Sequence, residues 1–127
     1  MAELVAGAGA SYSARWTTVQ IENLVLSIKA GLKNPGFSFI EVATQCPTYF
    51  GRKNKLKTPT AMAAVMKANT VFKSAADRMK PKELEGKIVV GEFANTQKDE
   101  FTENIDKISV EKFGKKTLIN SAYETEL

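Results

Sequence analysis

Between Ser11 and Ala43 the sequence sets two β-forming runs around one capped amphipathic stretch, and this spacing restricts the fold more than any other feature. Ser11 to Trp16 (SYSARW) alternates and carries β-formers, which predicts a short strand. Thr17 and Gln20 form a T-x-x-Q capping box. Behind it Ile21, Leu24, Val25, Ile28 and Leu32 recur at i, i+3, i+4, i+7 and i+11, one apolar face of a helix. Asn34-Pro35-Gly36 ends that helix, because proline cannot continue it and glycine takes the left-handed exit. Phe37 to Ala43 (FSFIEVA) predicts a second strand, apolar on both faces at Phe37, Phe39, Ile40 and Val42, the pattern of a parallel strand covered on both sides. Strand, helix and strand fit within about 33 residues, the size of one βαβ unit, with a right-handed crossover expected. The predicted fold class is therefore α/β.

The second strand runs directly into Cys46-Pro47, and Cys46 is the only cysteine. In parallel α/β folds, chemistry sits at the carboxyl ends of strands. A lone cysteine there is either a reactive or ligating group or a small buried hydrophobe. One cysteine excludes an internal disulfide framework and makes a reducing cytoplasm the expected compartment. There is no histidine, which removes the commonest general base, the commonest zinc ligand and every histidine-based triad. The 127 residues suffice for one domain, no run approaches the ~20 apolar residues of a membrane span, and the N-terminus lacks the form of a signal peptide. The net charge of +4 favours loose attraction to acidic partners without by itself indicating nucleic-acid binding.

Elsewhere the signals are more local. Residues 1–10 read as a short helix that runs out at Gly7 and Gly9; their G-x-G lacks the strand before and the helix after that a nucleotide fingerprint needs. Gly51 to Lys57 (GRKNKLK) packs four cations into seven residues and reads as a loop. Thr58-Pro59 is a helix start, and Met62, Val65, Met66 and Phe72 predict an apolar stripe through about residue 73. A second helical stretch is expected to Met79, a helical turn and break over Lys80–Gly86, a third strand over Lys87–Phe93, and a helix over Asp99–Phe113 with Phe101, Ile105 and Ile108 in phase. Gly114–Leu127 reads as a polar, loose tail. Two parallel strands and one distant candidate do not make a sound sheet, and a strand as apolar as FSFIEVA would be left with an open edge. This implies that the chain completes a sheet supplied by something else, as the C-terminal part of a larger domain or as an obligate subunit.

Two blocks carry a family resemblance: A-E-L-V-A-G-A-G-A-S-Y-S-A-R, and after the helix K-N-P-G-F-S-F-I-E-V-A-T-Q-C-P-T-Y-F-G-R-K-N-K. Together with L-E-G-K-I-V-V-G-E-F they resemble the C-terminal part of the β subunit of 2-oxoacid:ferredoxin oxidoreductases of the 2-oxoglutarate type, over roughly residues 2–108. The resemblance implies the last βαβ piece of a thiamine-diphosphate-binding domain over residues 1–50, and a C-terminal arm with helices and one short strand over residues 51–127. It implies oxidative decarboxylation of a 2-oxoacid to an acyl-CoA, with electrons passing through iron–sulfur clusters to ferredoxin. The family's GDG…N motif for thiamine diphosphate and Mg2+ and its C-x-x-C pair lie upstream of the matched region, and this chain contains neither. Cys46 matches the remaining cysteine, which the family pattern makes the fourth ligand of a [4Fe–4S] cluster. The implied partners are the rest of the β subunit, an α subunit, ferredoxin and coenzyme A, with no membrane and no nucleic acid; alone, the chain is expected to be inert. A split gene product, a truncated reading frame and an isolated fragment all fit this match.

Other features keep two readings each. Arg52, Lys53, Lys55 and Lys57 attract an acidic ferredoxin or the phosphates of coenzyme A, or are simply a solvated loop. Tyr49 and Phe50 line a cofactor channel or pack against a neighbouring subunit. Glu41, inside an apolar strand, sits at the sheet's end or pairs with a cation. The competing functions are a small basic α/β binding module without enzymatic activity, and a stand-alone thiol enzyme using Cys46, whose thiolate would need a lysine or a helix N-terminus to activate it.

Overall fold

A computed structural model describes residues 1–114. The expectation of a loose tail falls, from residue 115 onward, outside the described residues. The element order is α1 (Ala2–Gly7), β1 (Tyr12–Thr17), α2 (Ile21–Lys33), β2 (Ser38–Ala43), a π-turn (Pro47–Gly51), α3 (Pro59–Asn69), β3 (Thr70–Phe72), α4 (Lys73–Ala76), a 3-10 turn (Pro81–Leu84), β4 (Ile88–Asn95) and α5 (Phe101–Phe113). The class is α/β, as expected.

The sheet has four strands in the order β2-β1-β4-β3. β1 and β2 run parallel from Tyr12↔Ser38 to Thr17↔Ala43, the pairing that the βαβ spacing predicts. β4 returns antiparallel to β1, with a register shift between Ser13 and Ala14, and β3 lies parallel to β4. The distant strand candidate thus joins the same sheet, which corrects the expectation that these strands are too few. The strand hidden from the sequence reading is β3. Phe72 continues the apolar stripe of α3, but the helix ends at Asn69, and Val71 and Phe72 pair with Val89 and Val90. β-branched and aromatic residues favour that pleated edge over another helical turn.

The core forms where β1 is covered on both faces. Tyr12, Ala14, Trp16 and Val90 are its buried centre, with Leu24, Ala30, Ile40 and Ile88 packed around them. Trp16 packs edge-to-face on Phe72 with ring centroids 6.2 Å apart. Its indole N–H donates to Ser27 Oγ at 2.5 Å, one helical layer above the sheet.

α2 turns a different face to the sheet from the one its large side chains mark. Ser27 and Gly31 are buried against the strands, while Ile21, Val25, Ile28 and Leu32 are 62%, 45%, 41% and 83% exposed. The reason is close approach: a Cβ on Gly31 would stand 3.2 Å from Ile40 and 3.4 Å from Tyr12. Small residues let the helix sit on the aromatic layer; of the bulky stripe Leu24 packs inward, while Ile21, Val25, Ile28 and Leu32 point outward. β2 is correspondingly only half covered, with Val42 exposed, not buried on both sides as its composition suggests. Among the described residues no strand pairs with its outer edge. α5 buries no side chain, and Phe101, Ile108 and Phe113 are exposed.

Thr17 is not the N-cap. Its hydroxyl contacts Gln20 Oε1 and accepts the Val19 N–H at 3.3 Å, forming a turn inside which the helix starts three residues later, at Gln20. Glu41 does pair with a cation: its carboxylate takes the Arg15 Nε–H at 2.9 Å and the Ala2 N–H at 2.8 Å, and lies 3.0 Å from the terminal amine.

Candidate functional site

One end of the sheet gathers the carboxyl ends of β1 and β2 and the amino ends of β3 and β4. Past Ala43 the chain leaves β2 in extended form, with Cys46 at φ −105° and ψ 111°, and then closes into the π-turn at Pro47. Pro47 suits the first position of that turn because its fixed φ is already helical and its missing N–H is one the turn would not use. Gly51 ends the turn for a steric reason: a Cβ there would lie 2.8 Å from Met62 Sδ and 3.0 Å from the Leu56 carbonyl oxygen. The turn is therefore seated directly on α3, whose start Thr58 caps by accepting the Ala61 N–H at 3.2 Å. Thr58-Pro59 performs the role that the sequence assigned to it.

Gln45 ties this end to β1, accepting a hydrogen bond from Thr18 Oγ1 at 2.7 Å, while the Thr18 N–H donates to the Ala43 carbonyl at 3.1 Å. Behind the turn lies a cleft of about 320 Å³ between Gln45, Phe50, Met66, Asn69 and Ile88. Phe50 lines it, whereas Tyr49 does not; Tyr49 is 65% exposed, with Lys53 Nζ 4.3 Å above its ring and donating to its hydroxyl at 2.8 Å.

The Cys46 thiol stands free and exposed at the mouth of this turn, so the buried-hydrophobe reading does not hold. Its Sγ is 3.2 Å from Thr48 Oγ1. That hydroxyl, then the backbone N–H of Tyr49, hold the thiol below its ordinary pKa against a small opposing effect of burial, helped by the N–H groups of Phe50 and Thr48. A sulfur ringed by N–H and O–H donors is stabilised as thiolate, the form that binds metal and iron–sulfur clusters. The fit to a cluster ligand is thus chemical: one exposed sulfur whose thiolate form is favoured, with the Thr48 hydroxyl beside it. Among the described residues no group of three or more His, Cys, Asp or Glu side chains is placed to hold a metal ion. The site missed by sequence reasoning is Thr48; the signal was the hydroxyl two residues beyond the cysteine in C-P-T.

No protein-family model matches the chain, and no solved structure matches it at a significant level. Curated proteins do match. The 2-oxoglutarate synthase subunit KorB of Methanothermobacter thermautotrophicus is 53% identical over 127 residues, covering 99% of this chain and 44% of that protein. KorB of Methanothermobacter marburgensis is 49% identical over 126 residues, with the same coverage. This chain is similar to part of KorB along nearly its whole length. KorB of Methanocaldococcus jannaschii aligns as well, 46% identical over 108 residues, which is 85% of this chain and 40% of that protein. The likeness read from the F-S-F-I-E-V and C-P-T-Y-F-G-R blocks to the 2-oxoglutarate-type enzymes is borne out. The chain spans less than half the length of the KorB relatives it matches.

Proposed function

We propose that this chain is the C-terminal part of the β subunit of a 2-oxoglutarate:ferredoxin oxidoreductase, and that it works only in assembly with the remainder of that subunit and an α subunit. In the reaction, the bond between the carboxyl and keto carbons of 2-oxoglutarate breaks and CO2 leaves. The coenzyme A thiol gives up its proton as its sulfur forms the thioester with the acyl carbon, and two electrons pass to ferredoxin. The observation that carries this reading is identity of 53% across essentially the whole chain with a protein more than twice its length.

Three physical features support it. The outer edge of β2 is unpaired and the Ile21–Leu32 stripe of α2 is exposed, which is the surface that a longer sheet and its helices would cover. The Cys46 thiolate is suited to be one of four cluster ligands, the other three belonging to chain beyond this one. A bound cluster would supply one-electron transfer. The thiamine diphosphate and Mg2+ sites would lie on the remainder of the β subunit, since G-D-G does not occur here. A thiol nucleophile is a weaker reading, because a chain without histidine lacks the commonest base for such chemistry.

The test is reassembly. Co-expressed with the polypeptides that carry the C-x-x-C and GDG…N motifs, the chain should restore 2-oxoglutarate- and coenzyme-A-dependent reduction of a viologen dye, and alone it should give none. Turnover by the other polypeptides without this chain would sink the proposal, as would neighbouring DNA that encodes neither motif.

A further inference from the structure

The charges of this chain are segregated in a way that its net charge conceals. From Val42 to Ala76 there are six cations (Arg52, Lys53, Lys55, Lys57, Lys67 and Lys73) and no carboxylate. The other 12 cations face 14 carboxylates, so the whole positive excess resides in this one segment. The segment begins at the carboxyl end of β2, forms the π-turn and α3, and returns to the same end of the sheet at β3. Arg52, Lys53, Lys55 and Lys57 are all exposed within eleven residues of Cys46. Among the described residues, none of the four forms an ion pair. Glu85 precedes Gly86, a residue of the cleft wall, and is an exposed carboxylate outside this segment.

From this geometry we infer that the turn around Cys46 is the docking surface for an acidic protein, the electron acceptor of the reaction proposed above, on which reading this inference rests. Charge of one sign set around an exposed redox ligand steers an oppositely charged partner to the point where electrons leave. The aromatic flank is preorganised for a protein surface: Lys53 is stacked on Tyr49 and bonded to its hydroxyl, so the pair presents one ordered, cationic, partly apolar platform. The same stacking weakens the case for nucleic acid, since one face of the segment's most exposed ring carries Lys53 in place of a base. A coenzyme phosphate is also disfavoured. Such a site needs convergent backbone donors, yet along the basic loop the N–H groups of Gly51, Asn54, Lys55 and Leu56 already donate to backbone carbonyls, and that of Ala61 donates to Thr58 Oγ1.

The experiment uses the reassembled complex with two electron acceptors, a small cationic viologen that needs no docking and an acidic ferredoxin. The variant R52E/K55E/K57E leaves Cys46, Thr48, Tyr49 and Lys53 in place. It should raise the KM for ferredoxin ~10-fold or more and flatten its dependence on ionic strength, with viologen reduction and the KM for coenzyme A unchanged. A control, K29E/K33E on α2, should move neither. If charge reversal lowers viologen reduction through misfolding, the R52Q/K55Q/K57Q variant is read instead, with a smaller rise in the same KM. An unchanged ferredoxin KM beside intact viologen reduction overturns the docking surface alone, and a rise confined to the KM for coenzyme A makes it a phosphate site. A wild-type complex that reduces neither acceptor overturns the parent reading and the docking surface with it.

Discussion

At Cys46 a single hydroxyl sets much of the chemistry. Thr48 Oγ1, 3.2 Å from the sulfur, contributes most to holding the thiol below its ordinary range. Thr48→Val should raise the thiol pKa, seen as an upward shift in the pH profile of alkylation by iodoacetamide; an unshifted profile would remove Thr48 from the site. Glu41 is the opposite case, a carboxylate inside an apolar strand. Burial pushes its pKa up, but the Ala2 N–H, the terminal amine and Arg15 outweigh burial and bring it from 4.5 down to about 2. A depressed carboxyl pKa stabilises the fold fully above the unfolded value and loses that contribution as pH falls towards the folded one. Stability should therefore fall between pH 4.5 and about 2, and the urea midpoint of Glu41→Gln should vary less across that window. A variant with the wild-type slope would show that Glu41 does not carry this pH dependence.

Among the elements, α2 and the π-turn both depend on close approach. Ser27 is one polar contact through which α2 meets the sheet; the Ser38 hydroxyl, donating to the Gly31 carbonyl at 2.8 Å, is another. Ser27→Ala leaves the buried indole N–H of Trp16 without its partner and should cost about 1–3 kcal/mol. Trp16 is the only tryptophan, so its fluorescence reports both the unfolding midpoint and the altered surroundings of the ring. Gly51→Ala drives a methyl into Met62 Sδ and the Leu56 carbonyl and should cost a similar amount, about 1–3 kcal/mol, by prying the turn off α3. Chemical denaturation tests this, and an unchanged midpoint would mean that the turn is not seated as described. These contacts explain what the sequence disclosed and what it withheld. The Thr58 cap, the Pro35 stop and the βαβ spacing were legible because each is fixed within a few residues; Gly36 does not take the left-handed exit expected of it, and a Cβ there would instead collide with Ser11 Oγ. The facing of α2 was not, because Gly31 and Ser27 matter only once Tyr12, Trp16 and Ile40 lie beneath them. β3 was not, because T-V-F becomes a strand by pairing with Val89 and Val90, eighteen residues further on. The place of Cys46 after β2 could be read from the sequence, whereas Thr48 beside its sulfur needed the turn itself.

For the whole molecule, the exposed α2 stripe, the unpaired edge of β2 and the uncovered aromatics of α5 describe a chain that ends in surfaces made for contact. Among the described residues no helix is long and apolar enough to cross a membrane. The chain is similar to less than half of KorB's length; in the proposed assembly the remainder of the subunit would cover these faces and bring the other cluster ligands to Cys46. The direct test is Cys46→Ser in the reassembled complex, followed by iron content and visible cluster absorbance. The account predicts that the subunits still co-purify while one cluster's iron and absorbance are lost. A complex that keeps the full iron content and an unaltered spectrum would contradict it.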